Sequence, residues 1–127
     1  MKNKNVSDEN VGNGQKIAVV TGWSSCIGYA PSLQSARSGY HTFATMRKPT
    51  KGQDFRRVGE SEKLWIGIEL LDVTKLDFVK DAISKISQSD DRLDVLVNNA
   101  GYATLGAFED LSIEVIEDQF DSNLLGC

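Results

Sequence analysis

The residues best suited to chemistry in this chain begin with TGWSSCIG, residues 21–28. An apolar run precedes them and a helix-patterned segment follows. Such a turn can hold an anion. Free N–H groups at the helix start point toward it, and the helix dipole adds partial positive charge. Gly22 and Gly28 let the backbone turn sharply and approach a ligand closely. Many tight strand–helix turns also hold glycine and serine, so this stretch alone leaves a plain turn open. Cys26 stands where a phosphate turn calls for glycine. Its side chain would point toward the anion, or its backbone would need an angle that glycine meets most cheaply. A thiol at a helix start has a lowered pKa, so a redox-sensing role stands beside simple drift.

Arg47 and Lys48 follow the β-rich run YHTFATM. A guanidinium can pair with a phosphate through two parallel hydrogen bonds, and a solvated basic turn is the plainer alternative. Asp72 follows LWIGIELL, NNAG (residues 98–101) follows LDVLV, and Asn123 lies in the last helix-patterned segment. Alone, Asp72 reads equally as a turn or capping aspartate, and NNAG as a strand-ending turn.

A frame of strands and helices must bring these residues together. Residues 16–21 (KIAVVT) hold four apolar residues in a row, as a strand buried on both faces would. Ile27, Ala30, Leu33 and Ala36 predict a helix over about 27–38, with Gly39 at its end. Pro31 then falls in the first turn, where its missing N–H costs little. Residues 40–46 predict a second strand, 52–59 a weakly patterned helix, and 64–71 a third strand. Thr74 is the expected N-cap of the next helix, with Asp77 three residues on. Leu76, Val79, Ile83 and Ile86 predict one buried helical face up to about residue 87. Residues 93–97 (LDVLV) predict the fourth strand. A last helix starts near Ser112 and carries Ile116, Phe120 and Leu124 on one stripe. Strand–helix repeated four times implies a parallel sheet with right-handed crossovers and helices on both faces.

Composition narrows the classes. The 127 residues suit one domain, and 40% hydrophobic with 25% charged residues is ordinary for a globular chain. A net charge of −4 offers no broad field for nucleic acid or anionic lipid, so a phosphate site must be local. Two cysteines and one histidine are too few for a disulfide framework or a metal cluster. No apolar run reaches the roughly 20 residues that span a bilayer. Residues 1–15 are polar and read as a disordered tail rather than a secretory signal. No nucleic-acid or membrane partner is expected, and the cytoplasm is the expected compartment.

Taken in order, the motifs resemble the short-chain dehydrogenase/reductase family. The family's T-G-x-x-x-G-x-G appears as TGWSSCIG, and its aspartate after strand three as Asp72 in LLDVT. Its N-N-A-G is intact, and its helix-four asparagine appears as Asn123 in FDSNLLG. The resemblance covers essentially everything from Lys16 onward. It implies an α/β fold: a Rossmann-like doubly wound parallel sheet, incomplete, with about four strands and four helices. It also implies a site. Gly22, Ser24, Ser25, Ile27 and Gly28 would border the ribose and phosphates of a nicotinamide dinucleotide. Asp72 would accept from the adenine amino group, and the Val73 amide would meet the ring. Asn99, Ala100 and Gly101 would line the adenosine ribose and lead toward the nicotinamide. Strand two ends without an acid to hold a ribose 2′-hydroxyl, so Arg47, helped by Lys48, favours NADP over NAD. Trp23 stands where most relatives have a small residue, and is expected to crowd or stack on the adenosine side.

The family's reaction needs a Tyr-x-x-x-Lys pair and a serine, all beyond helix four. The tyrosine is the general acid/base, and the lysine lowers its pKa. Tyr29, Tyr40 and Tyr102 are followed four residues on by Leu33, Ala44 and Gly106. Asn123, expected to position its helix and a proton-relay water, is the sole catalytic member expected here. The resemblance implies the cofactor half of an oxidoreductase that moves hydride between NADP(H) and a small alcohol or carbonyl. These 127 residues alone are expected to be inactive, meeting substrate only if the chain continues. A non-catalytic nucleotide-binding or interaction module and a decayed gene fragment are the alternatives. The fourth strand is expected to be an unpaired edge, which offers a route to self-association.

Overall fold

The computed structural model describes residues 14–23, 26–88 and 92–127. The expected disordered tail lies outside the described residues except for Gly14 and Gln15. The chain runs β1 (Ile17–Val20), α1 (Cys26–Arg37), β2 (His41–Met46), α2 (Gln53–Glu62) and β3 (Ile66–Leu70). It continues with α3 (Leu76–Ser87), β4 (Val95–Val97) and α4 (Ile113–Phe120). All strand pairs are parallel, in the order β3-β2-β1-β4. The chain winds outward from β1 through β2 to β3, then crosses back to place β4 on the other side of β1. The sheet is therefore the doubly wound α/β arrangement that the motifs implied.

The apolar runs follow from burial. All four residues of β1 and all six of β2 are buried, because helices cover both faces of these central strands. On one face, Ile17, Val19 and Phe43 pack with Ile86 of α3. On the other, Ala44 and Met46 pack with Trp23 and with Phe55 of α2, and Tyr29 and Leu33 of α1 join them. Asp94 pins the start of β4 to the start of β1. Its carboxylate accepts the Ile17 N–H at 2.8 Å and is paired with Arg92.

Several local expectations change. α1 begins one residue early, at Cys26, so Pro31 is its sixth residue and lies beyond the first turn. One helical hydrogen bond is missing there. Thr74 does not cap α3. Its amide and hydroxyl both donate to Asp72 Oδ1, at 3.0 and 2.7 Å, because a short aspartate readily accepts from the backbone two residues on. The weakly patterned segment after Arg47 is a short 3-10 turn (Pro49–Gly52) followed by α2. Two positions four apart fix α2: Phe55 is fully buried, and Gly59 lies against Ile66. The apolar stripe of α3 is only partly covered. Ala82 and Ile86 are buried, whereas Leu76 and Ile83 are exposed. On the last helical segment Phe120 and Leu124 are exposed too. β4 is shorter than expected and pairs with β1 alone among the described residues.

Candidate cofactor site

The strand order reverses between β1 and β4, and ligands of open α/β sheets sit at such points, outside the carboxyl ends of the strands. Here the two turns are stitched together. The Thr21 N–H donates to the Val97 carbonyl at 3.0 Å. Thr21 Oγ1 accepts the Asn99 and Ala100 N–H groups, each at 3.0 Å. The Asn99 side-chain amide donates to the carbonyls of Thr21 and Gly22, at 3.0 and 3.2 Å. Gly22 has φ +70°, and a Cβ there would lie 2.4 Å from Ala100 Cα. A Cβ on Gly28 would lie 2.8 Å from Asn99 Nδ2. Both glycines are thus required by close approach, and Asn99 is the plug between them.

Next to this joint is a cleft of about 70 Å³ lined by Gly22, Arg47, Asp72, Val73, Ala100 and Gly101, with Met46, Leu71, Tyr102 and Ser122 completing the wall. The first six are residues the motifs singled out. A backbone bond from the Leu71 N–H to the Met46 carbonyl (3.1 Å) brings the ends of β2 and β3 together, and so Arg47 toward Asp72. Partial burial works against the Asp72 charge. The two Thr74 donors, with Lys75 and Arg47 nearby, outweigh it and hold the carboxyl below its ordinary 3.8.

Other expected site residues stand elsewhere. Gly28 lies behind the cleft, against Asn99 and the Trp23 backbone. Ile27 is exposed at the start of α1 and Lys48 is exposed beside Arg47; neither lines the cleft. Ser24 and Ser25, and the side chain of Cys26, lie outside the described residues. Asn99 turns its amide nitrogen inward onto the β1 turn. Trp23 corrects an expectation. Its ring packs at 5.3 Å from Phe55 and 5.7 Å from Tyr29, between α1 and α2, instead of on the adenosine side.

Asn123 lies in a π-helical turn (Asp121–Leu125) that continues α4. Its Oδ1 accepts the Tyr102 N–H at 2.9 Å, and its Nδ2 donates to the Tyr102 carbonyl at 2.8 Å. Thr104 N–H donates to Gln119 Oε1 at 2.9 Å. Asn123 therefore ties the segment after NNAG to the last helical turns. Tyr102 and Ser122 were not singled out as cofactor residues. Their adjacency to Gly101 and Asn123 is the one signal that could have found them.

A larger groove of about 710 Å³ lies on the α3 face and shares Leu71 and Val73 with the cleft. Its walls are mostly apolar, with Val79, Ile83, Leu93, Leu96 and Leu125 prominent. Volume alone would favour it. A dinucleotide carries phosphates, and the smaller cleft has the basic side chain, the glycine turn and the carboxylate that such a ligand needs. Gly22, Arg47, Asp72 and Val73, from the ends of three strands, all line this cleft.

The sequence profile of the family described as short chain dehydrogenase matches residues 16–127. The oxidoreductase YusZ of Bacillus subtilis (strain 168) is 36% identical over 114 residues, which is 88% of this chain and 40% of that protein. A 3-ketodihydrosphingosine reductase of Bacteroides thetaiotaomicron is 31% identical over 111 residues, 87% of this chain and 38% of that protein. The chain thus spans about two fifths of the length of these curated relatives. Among solved structures, an actinorhodin polyketide ketoreductase with NADPH superposes with a TM-score of 0.82 at 25% identity, covering 88% of this chain and 43% of that one. A metagenomic short-chain oxidoreductase in complex with NADP gives 0.81 at 25% identity, covering 87% and 51%. Among the described residues, no helix is long and apolar enough to cross a membrane.

Proposed function

Because the chain belongs to the short-chain dehydrogenase family of oxidoreductases, we propose that it binds NADP(H) in the cleft beside the β1 and β4 turns. The protein it forms then moves hydride between the nicotinamide and an alcohol or carbonyl carbon. One observation carries this reading: Gly22, Arg47, Asp72, Val73, Ala100 and Gly101 line a single cleft where the strand order reverses. The nicotinamide ring supplies the hydride chemistry when bound. The chain supplies placement. The free N–H groups at the start of α1 face the pyrophosphate, and Gly22 keeps side-chain bulk out of its path. One Asp72 oxygen is held by Thr74, and the other accepts from the adenine amino group. Arg47 pairs with the ribose 2′-phosphate in two parallel hydrogen bonds, which favours NADP over NAD. Asn123 holds the segment from Tyr102 toward the nicotinamide end.

No tyrosine here has a lysine four residues on, and the Tyr102 backbone is fixed by Asn123. The 127 residues therefore bind cofactor without delivering a proton to a substrate, and their turnover is expected to be undetectable. The test is titration of the purified chain and of Arg47→Ala with NADPH and NADH. The variant is expected to bind NADPH about tenfold more weakly and NADH nearly as before, since one charge-assisted pair is lost. Equal losses for the two cofactors would remove the NADP assignment.

A further inference from the structure

Trp23 follows Gly22 directly, yet it is 9% exposed and absent from the walls of the cleft. Its N–H donates to the Thr45 carbonyl at 3.0 Å, two residues before Arg47. Its Cα is 2.9 Å from the point a Cβ on Gly28 would occupy, so the first turn of α1 rests on its backbone. Its ring is gripped by Tyr29 from α1 and Phe55 from α2. Trp23 thus touches β2, α1 and α2 at once, from within the segment that approaches the ligand. Its buried Nε1 has no hydrogen-bond partner among the described residues.

We propose that Trp23 is a positioning residue for the phosphate side of the dinucleotide site. It holds the backbone of Gly22 and, through Gly28 and Tyr29, the first turn of α1 against α2, so this side of the site is set before the ligand arrives. A binding site whose geometry is set in advance loses less freedom on binding and binds more tightly. This inference rests on the dinucleotide reading above. The adenosine end, at Arg47, Asp72 and Val73, is joined by the Leu71–Met46 backbone bond between the β2 and β3 ends, and the indole meets it only through the Met46 side chain.

Two ligands separate the ends. NADP+ uses both, whereas adenosine 2′-monophosphate lacks the pyrophosphate and reaches the adenosine end alone. Calorimetric titration would compare wild type, Trp23→Phe, Trp23→Leu and Trp23→Ala. Trp23→Ala is expected to bind NADP+ about tenfold more weakly while binding adenosine 2′-monophosphate within about twofold of wild type. Trp23→Phe keeps an aromatic ring between Tyr29 and Phe55, and is expected to bind both ligands within about twofold of wild type. If Trp23→Ala fails to fold, Trp23→Leu carries the same comparison with a smaller split. Parallel losses for the two ligands, or no loss for either, would overturn the proposal and leave the dinucleotide reading standing. A wild-type chain that binds neither ligand would overturn the dinucleotide reading itself.

Discussion

The two faces of the sheet differ. Beneath α1 and α2, Phe55 is fully buried, Met46 nearly so, and Trp23, Tyr29 and Phe55 form a closed aromatic group. Beneath α3, Ile86 is buried, but Ile83 is 56% exposed and Leu96 of β4 is 51% exposed. Both faces carry apolar residues at the right period, so pattern alone does not separate them. The difference lies in what covers each stripe. It teaches that the α1–α2 face, against which Met46 of the cleft packs, is the consolidated one, and that the α3 face contributes less to holding this chain folded.

Core substitutions would show the contrast most strongly. Phe55→Ala is expected to lower unfolding free energy by about 3–5 kcal/mol, against about 1 kcal/mol or less for Ile83→Ala. Denaturant unfolding of both variants would measure this. Equal losses would mean the two faces are equally consolidated.

The joint between the turns comes next. Gly22→Ala forces a Cβ onto Ala100 at positive φ, and is expected to cost about 2 kcal/mol together with most of the NADPH affinity. A variant with wild-type binding and stability would show that the turn relaxes easily, contrary to the stitched geometry.

A smaller effect concerns pH. Arg92 and the Ile17 amide hold the Asp94 carboxyl below its ordinary 3.8, and Asp72 is likewise depressed. A depressed carboxylate contributes stability that is fully present above the unfolded value and lost as pH falls through the folded one. Unfolding midpoints measured against pH should thus show an acid decline beginning near 3.8 and continuing below it. Asp94→Asn is expected to lower neutral stability slightly and flatten that decline. An unchanged acid limb would show that the β1–β4 pin is energetically silent.

The smallest expected effect lies at the end of α2, where Lys63 adopts φ +55° in a left-handed cap. Lys63→Gly is expected to stabilise the α1–α2 face by about 0.5–1 kcal/mol, read as a higher melting midpoint. A lower midpoint would mean that the lysine side chain contributes more than its backbone costs.

Much of this frame is legible in the sequence because central strands buried on both faces must be continuously apolar. The run IAVV announces itself for that reason, whereas LWIGIELL is as apolar although β3 is an edge strand and only partly buried. NNAG and Gly22 were legible as a pair because each occupies a strand end at the reversal point. Other features depend on contacts that no local pattern carries. Thr74 matches an N-cap pattern, but α3 starts one residue later, with Lys75 at the cap position, and Thr74 instead closes a turn on Asp72. Trp23 looks like a surface intrusion in the ligand turn until Phe55 and Tyr29, distant in sequence, are seen to enclose it. Leu76 and Ile83 have helical spacing, and spacing cannot say whether a covering element is present. Asn99 and Asn123 read as ligand and catalytic residues. The structure shows both side chains engaged with backbone groups of neighbouring turns.

The most direct test is an amide-resolved NMR titration of the 127-residue chain with NADPH. Shifts are expected at Gly22, Asp72, Val73, Gly101 and Tyr102, with Leu93, Leu96 and Leu125 in the apolar groove unmoved. Shifts confined to the groove residues, or none at all under saturating NADPH, would contradict the assignment of the cleft as the cofactor site.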